Sequence, residues 1–195
     1  MARKAKIRRK TTETDISIEI DLDGAGKGSI STTVPFLDHM LNLFSRHGHF
    51  DLSVKSKGDT EIDDHHLVED IGICLGKAMG KALGDKMAIR RYGFAVVPMD
   101  ESLASVALDI YGRPYLVYSV KFGNKNIGGF DPALLKEFFK AFSDQSGITL
   151  HISLIYGSNY HHMAEAVFKA FARALGEAVT CDSRIEGILS TKGCL

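Results

Sequence analysis

The feature of the sequence that most constrains its fold is a short motif that occurs twice. Residues 65–69 read HHLVE and residues 161–165 read HHMAE, so both copies have the pattern H-H-x-x-E. The residues before each copy are patterned as three strands, a helix and a fourth strand, and each copy opens a last helix. A unit near half the chain length that occurs twice indicates internal duplication. The sequence therefore predicts an α+β fold of two tandem βββαβα units, residues 1–86 and 87–195, that together form one compact domain.

The alternation of apolar and polar residues locates the strands. Ile16, Ile18 and Ile20 alternate with polar residues, which is typical of a strand with one buried face. Further strands are predicted over residues 28–33 in the first unit and 115–122 in the second.

The doubled motif places histidine and glutamate side chains where they can act together. On a helix, neighbouring residues point about 100° apart, whereas residues three or four apart share a face. Glu69 can therefore join either His65 or His66, while the two histidines diverge. Glu165 has the same relation to its own histidine pair. Two such motifs predict two metal sites, each with ligands from both units or from neighbouring subunits.

A single histidine pair in a first helical turn more often caps the helix or lies exposed on the surface than binds a metal. The duplication, together with a further histidine in LDHML, makes metal binding the preferred interpretation. Imidazole and carboxylate ligands without thiolates suit manganese, iron or zinc, and several carboxylates favour manganese. The pattern differs from the zinc-protease motif H-E-x-x-H, because its glutamate follows the histidine pair and is better placed as a ligand than as a general base.

The composition excludes some classes of partner. Lys plus Arg and Asp plus Glu number 24 each, so no bulk charge favours nucleic acid or an anionic membrane. The one basic run, residues 2–10, is interpreted as the solvated face of a strand. Three scattered cysteines, Cys74, Cys181 and Cys194, form no C-x-x-C pair, and no apolar stretch has the length of a membrane span. We therefore expect a cytoplasmic protein without nucleic-acid or membrane partners.

Several ordered motifs resemble the imidazoleglycerol-phosphate dehydratase family of histidine biosynthesis over essentially the whole chain. They are ETD near the N-terminus, PFLDHML, RHGHFDL, DDHHLVEDIGICLG, RRYG, LDIYGRPYL, GSNYHHMAEAVFKAFARAL and STKG. The resemblance implies helices packed between two β-sheets and two Mn(II) ions per active site. It also implies a homo-oligomer, an octahedral cage of twenty-four subunits built from trimers.

The resemblance also implies the metal ligands. They would be His39, His65, His66, Glu69, His161, His162, Glu165 and an eighth residue, Glu137. The family often has histidine at that eighth position. Glu137 in LKEFF is the counterpart of His39 in LDHML, and a carboxylate can still bind manganese; without the resemblance it would be interpreted as a solvated helix residue.

The substrate side of the site is likewise implied by the resemblance. Glu13 matches the acid/base glutamate of the family, and His47 in RHG would face the substrate. A phosphate group would be held by Arg91, Arg113, Lys169, Ser190 and Lys192. Arginine forks and ammonium groups suit a dianionic phosphate. From the residues alone, Glu13 would be an exposed hairpin residue and the basic residues solvated charges.

The reaction implied is the dehydration of imidazole glycerol phosphate to imidazole acetol phosphate. Because no carbonyl adjoins the proton that is lost, the imidazole ring must accept the electrons, through an imidazolate and a diazafulvene-type intermediate. Two other classes of function remain as alternatives from the sequence. A metal-dependent hydrolase or deaminase would act on an ester or an amine, and a metal-storage or scaffold protein would bind manganese without turnover.

Overall fold

The structure is a computed structural model that describes residues 2–192, so Cys194 lies outside the described residues. The first unit contains four strands and two helices, in the predicted order. They are β1 (Lys4–Lys10), β2 (Thr14–Asp21), β3 (Gly28–Ser31), α1 (Pro35–Gly48), β4 (Asp51–Gly58) and α2 (His65–Leu83).

The second unit repeats this order of elements. It comprises β5 (Tyr92–Met99), β6 (Ser102–Asp109), β7 (Tyr115–Ser119), α3 (Leu134–Ser146), β8 (Thr149–Tyr156) and α4 (Tyr160–Val179). The strand orders β1-β2-β4-β3 and β5-β6-β8-β7 are equivalent, and the last pair of each sheet is parallel. The predicted α+β duplication is confirmed. The boundary predicted between residues 86 and 87 falls in the link between α2 and β5 and stays a prediction.

The third strand of each unit is shorter than predicted. The strand predicted over 28–33 ends at Ser31, because the backbone N–H and the hydroxyl of Thr32 donate to Asp38 instead of continuing the ladder. The strand predicted over 115–122 ends at Ser119, where pairing with β8 stops at Ser153.

The two sheets differ on their outer faces. On β1 the basic residues pair with acids of β2 across the strands, for example Lys4 with Asp21 at 2.8 Å and Lys6 with Glu19 at 3.4 Å. Lys4, Lys6, Arg8 and Lys10 of the basic run therefore form the predicted exposed strand face, whereas Arg9 lies on the opposite face and pairs with Asp70 of α2. On β5 the apolar outer face consists of Tyr92, Phe94 and Val96, which are 53%, 61% and 44% exposed.

The helices pack between the sheets, and each helix pair joins the two units. Helix α1 packs on α4, and α2 packs on α3. Gly72 and Gly76 allow the close approach of α2 to α3, because a Cβ atom at either position would lie 2.6 Å from a carbonyl oxygen of α3. A layer of fully buried phenylalanines fills the space around α3 and α4, among them Phe138, Phe139, Phe142, Phe168 and Phe171. Among the described residues, no helix has the length and apolarity to cross a membrane.

Candidate metal and substrate site

Three predicted metal ligands from the two units lie together at one point between α1 and α4. The Nε2 atom of His39 is 2.8 Å from Oε1 of Glu165, and Nε2 of His161 is 3.0 Å from the same oxygen. The ligand atoms of the three residues all lie within 4.8 Å of one another. His39 lies in the second turn of α1, whereas His161 and Glu165 lie in the first two turns of α4. The trio thus presents two imidazoles and one carboxylate at the spacing of a metal's ligand shell.

Glu165 is the most buried member of the trio, with 7% of its surface exposed. Burial alone raises the pKa of its carboxyl group, but hydrogen bonds from Lys169, His39 and His161 outweigh burial and lower the pKa to about 2. Nζ of Lys169 lies 2.5 Å from Oε2, on the side away from the histidines. The carboxylate is therefore charged at neutral pH and suited to bind a cation.

The equivalent residues of the other helix pair are less closely grouped. His65 and Glu69 share one face of α2, with 3.7 Å between Nε2 and Oε2. Glu137 lies on α3 in the position equivalent to His39 but does not complete a trio with them. Within residues 2–192, the trio around Glu165 is the one cluster of metal-ligating groups of this density. The single chain therefore brings three of the eight predicted ligands together in one cluster.

The divergent histidine of each motif contacts a carboxylate that the sequence did not single out. Nδ1 of His66 is 3.0 Å from Oδ2 of Asp59, and Nδ1 of His162 is 2.6 Å from Oε2 of Glu101. These hydrogen bonds raise the pKa of both histidines. Asp59 and Glu101 lie in loops with no periodic pattern, so only their proximity in space reveals them.

Just before α2 and just before α4, a side chain accepts a backbone N–H group of the H-H-x-x-E motif. Asn159 caps α4 by accepting the backbone N–H of His161 at 2.9 Å and of His162 at 3.4 Å. Asp63 accepts the backbone N–H of His65 at 2.8 Å. At α4 the Asn159 cap fixes the first turn and thereby the directions of His161 and His162, whereas the N-cap residue of α2, Asp64, forms no side-chain cap.

Glu13 lies in the exposed turn between β1 and β2. Its backbone N–H donates to Oγ1 of Thr11 at 3.1 Å, which holds the turn while the carboxylate stays exposed. Glu13 and Asp59 line the same small cavity of about 360 Å³. The negative charge of Glu13 is also one cause of the raised pKa of His66. The predicted acid/base residue thus lies near one divergent histidine of its own subunit.

Four of the five predicted phosphate-binding residues line one surface depression of about 780 Å³: Arg91, Arg113, Ser190 and Lys192. Arg91 is 8% exposed and holds Asp109 with two hydrogen bonds of 2.7 and 2.9 Å, while a third donor binds the carbonyl of Leu189 at 2.7 Å. The guanidinium groups of Arg91 and Arg113 both stack on the ring of Tyr111, at 4.6 and 4.1 Å from its centre. The depression is lined by four cationic side chains, Arg91, Arg113, Arg184 and Lys192, and by one carboxylate, Glu186.

Two predicted substrate-binding residues lie outside this depression. Lys169 contacts Glu165 and the sulfur of Met99. His47 lines a different cavity of about 560 Å³ near the end of α1. Burial lowers the pKa of His47, and the charges of Lys169 and Arg173 lower it further.

Comparisons with known proteins point to one family, by a family model over residues 32–175 and by relatives over nearly the whole chain. The model of the imidazoleglycerol-phosphate dehydratase family matches residues 32–175. The protein of that name from Syntrophus aciditrophicus (strain SB) is 66% identical over 194 residues, 99% of this chain and 98% of the relative. The one from Geobacter metallireducens is 59% identical over 195 residues, 100% of both chains.

Two solved structures share the fold. The crystal structure of imidazoleglycerol-phosphate dehydratase from Staphylococcus aureus superposes with a TM-score of 0.84 at 42% identity, over 92% of this chain and 99% of the other. The Pyrococcus furiosus structure superposes with a TM-score of 0.83 at 40% identity, over 97% and 100% of the two chains.

The duplicated fold, with a histidine and carboxylate cluster shared by its units and with dehydratases as relatives, defines a hydro-lyase. Enzymes of this class remove water by breaking a carbon–oxygen bond. The chain belongs to the imidazoleglycerol-phosphate dehydratase family.

Proposed function

We propose that this enzyme dehydrates imidazole glycerol phosphate to imidazole acetol phosphate in histidine biosynthesis. The observation that carries the proposal is the trio of His39, His161 and Glu165, assembled from both units in a chain of the dehydratase family. The cationic depression around Arg113 supports a phosphorylated substrate.

We further propose two Mn(II) ions per active site. The chemistry of the trio fits such an ion, because imidazole nitrogens and a charged carboxylate are ligands that manganese accepts. The other proposed ligands are His65, His66, Glu69, Glu137 and His162. When bound, the ions supply Lewis acidity at the imidazole ring of the substrate. Since the trio offers only three donor groups, the remaining ligands of that ion would come from a neighbouring subunit.

The protein's own residues hold the two ends of the substrate and move its protons. Glu13 would carry a proton between the substrate carbon and the leaving hydroxyl, because its carboxylate is exposed at the rim of the cavity that it shares with Asp59. Loss of hydroxide from the carbon next to the ring would give the diazafulvene-type intermediate. Loss of a proton from the following carbon would then give an enol, which becomes the ketone.

The phosphate end would be held by Arg91, Arg113, Ser190 and Lys192. Within residues 2–192, Arg91 uses three of its five N–H donors, which leaves two for a ligand. Lys169 and His47 lie outside the depression, so any contact of theirs with the same substrate requires a second subunit. A site shared between subunits agrees with the incomplete ligand shell of the trio.

A homo-oligomer is therefore part of the proposal, and the predicted cage of twenty-four subunits built from trimers is its specific form. The apolar outer face of β5 supports association, because a contiguous exposed apolar surface marks an interface more often than a free surface. We also propose that the enzyme is cytoplasmic, on the basis of its scattered cysteines.

One assay tests the proposed reaction. The purified manganese form is incubated with imidazole glycerol phosphate, and the keto product is detected by its reaction with a carbonyl reagent. Formation of the ketone supports the hydro-lyase. Turnover of an ester or an amine instead would favour the hydrolase or deaminase, and manganese binding without any turnover would favour a storage or scaffold protein.

A further inference from the structure

The divergent histidine of each H-H-x-x-E motif is held at the same ring nitrogen. Asp59 accepts from Nδ1 of His66, and Glu101 accepts from Nδ1 of His162. Asp59 follows β4, whereas Glu101 lies in the turn between β5 and β6, so the two carboxylates come from loops that are not equivalent in the duplicated unit. The two units therefore reach the same hydrogen-bond geometry by different routes.

This geometry decides which imidazole nitrogen is available to a ligand. A neutral imidazole has one N–H donor and one lone pair, and a carboxylate at Nδ1 holds the proton there. The lone pair then lies on Nε2. A metal-bound histidine nearly always donates its other ring N–H to such an acceptor, which orients the ring and strengthens the ligand.

Glu101 is itself held in place by the start of α4. Its Oε1 atom accepts the backbone N–H of Asn159 at 2.8 Å and that of Ser158 at 3.2 Å, while Oε2 contacts His162. The carboxylate and the imidazole are thus fixed relative to the same helix end. Asp59 has one buried oxygen, Oδ1, without a hydrogen-bond partner among residues 2–192, so its contact with His66 is the one that orients it there.

We infer that Asp59 and Glu101 are matched positioning residues for metal binding. Each fixes the tautomer and the direction of the divergent histidine, so that Nε2 of His66 and Nε2 of His162 are presented to separate ions. Neither carboxylate is a ligand or an acid/base group in this assignment. The inference rests on the metal sites of the proposed function.

The test measures manganese affinity in the absence of substrate. The full chain and its variants Asp59→Asn and Glu101→Gln are stripped of metal and titrated with Mn(II). Electron paramagnetic resonance distinguishes the free from the bound ions. Each variant alters one of the two proposed sites. The dissociation constant for about half of the bound ions is therefore expected to rise roughly 10–100-fold above that of the unaltered protein. Glu61→Gln is the matched control, because this exposed carboxylate lines the same cavity as Asp59 and should leave affinity unchanged.

Affinities equal to that of the control in both variants would overturn the inference. A loss of affinity accompanied by a comparable fall in the Tm of the metal-free protein would also overturn it, because the carboxylates would then serve the fold. Failure of the proposed function has a different signature, namely an unaltered protein that binds Mn(II) but forms no ketone. Unaltered protein that binds no Mn(II) would refute both.

Discussion

The side chains of His39 and Glu165 are in hydrogen-bond contact, 2.8 Å from nitrogen to oxygen, although 126 positions of the chain separate them. One residue belongs to the first unit and the other to the second. Because His161 contacts the same oxygen, the contact forms one cluster from α1 and α4. The proposed metal site is therefore a product of the interface between the two units.

Replacing Glu13 by Gln should lower kcat by roughly two to four orders of magnitude, because the amide cannot carry a proton. Manganese content and substrate affinity should stay the same, since Glu13 is exposed and is not a proposed ligand. Steady-state kinetics and metal analysis check both expectations. Glu61→Gln, on the wall of the same cavity, is the control and should keep full activity. Unchanged turnover in Glu13→Gln would remove this residue from the mechanism.

Replacing Arg113 by Ala should weaken the binding of substrate far more than that of a phosphate-free triazole analogue. The guanidinium group stacks on Tyr111, and its N–H donors can form charge-assisted hydrogen bonds to a phosphate. Inhibition constants and KM values measure the two affinities. Arg184→Ala is a matched control, because Arg184 lines the same depression but is paired with Asp182. Equal losses for both ligands would argue against a role in phosphate binding.

Removal of metal with a chelator should convert the assembly into smaller oligomers, with trimers as the expected form. In the proposed assembly, ligands drawn from two subunits would couple metal binding to association, whereas each subunit would keep its own buried core. Analytical ultracentrifugation should show the decrease in size while circular dichroism stays unchanged. Mn(II), but not the same concentration of Ca(II), should restore size and activity. The double variant His65→Ala with His161→Ala should not recover, and a metal-free protein of full size would contradict the coupling.

Two glycines of α2 give opposite predictions for the free energy of unfolding. Gly72→Ala should destabilise the protein by about 1–3 kcal/mol, because the added Cβ would lie 2.6 Å from the carbonyl oxygen of Phe138. Gly80→Ala should stabilise it by about 0.5–1 kcal/mol, since its nearest neighbour lies at 3.7 Å and alanine favours a helix. Urea unfolding of the metal-free protein measures both. Stabilisation by both substitutions would show that α2 and α3 are not in close contact at Gly72.

Asp51 should contribute stability that depends on pH. Its Oδ1 atom accepts the backbone N–H groups of Lys27 and Ala25, both at 2.9 Å, and these hydrogen bonds lower the pKa of Asp51. A lowered folded pKa means that the contribution is complete above the unfolded pKa of about 3.9 and is lost as the pH falls through the folded pKa.

The stability advantage over Asp51→Asn should therefore be present at about pH 6 and should shrink below about pH 4. Chemical denaturation of both proteins across this range measures the difference, with Glu61→Gln as an exposed control. A difference that stays constant with pH would contradict the assigned hydrogen bonds.

The sequence predicted the elements better than the contacts between them. Strong apolar alternation, as at Ile16, Ile18 and Ile20, located the strands, and each doubled motif lies at the start of a helix as expected. The strands β3 and β7 were predicted too long, because tertiary contacts decide where they end. Thr32 bonds to Asp38 after β3, and pairing with β8 stops after Ser119 of β7.

The candidate site was predictable only in part. The doubled motif itself pointed to His161 and Glu165, but the proximity of His39 depends on the packing of α1 against α4. Asp59 and Glu101 carried no sequence signal, because a carboxylate in a loop is ordinarily solvated. Each member of the trio could be predicted from the sequence, but their proximity in space is seen only in the tertiary structure.

The cross-packing of the helices describes how such a chain could arise. Helices α1 and α3 are equivalent in the repeat, as are α2 and α4, so the contacts of α1 with α4 and of α2 with α3 are one contact made twice. A half-length ancestor could form both contacts as an isologous homodimer with twofold symmetry. Fusion of two such genes would make the pairing intramolecular and would allow the two copies to diverge in sequence. In this chain the equivalent positions 39 and 137 carry different residues, His39 and Glu137.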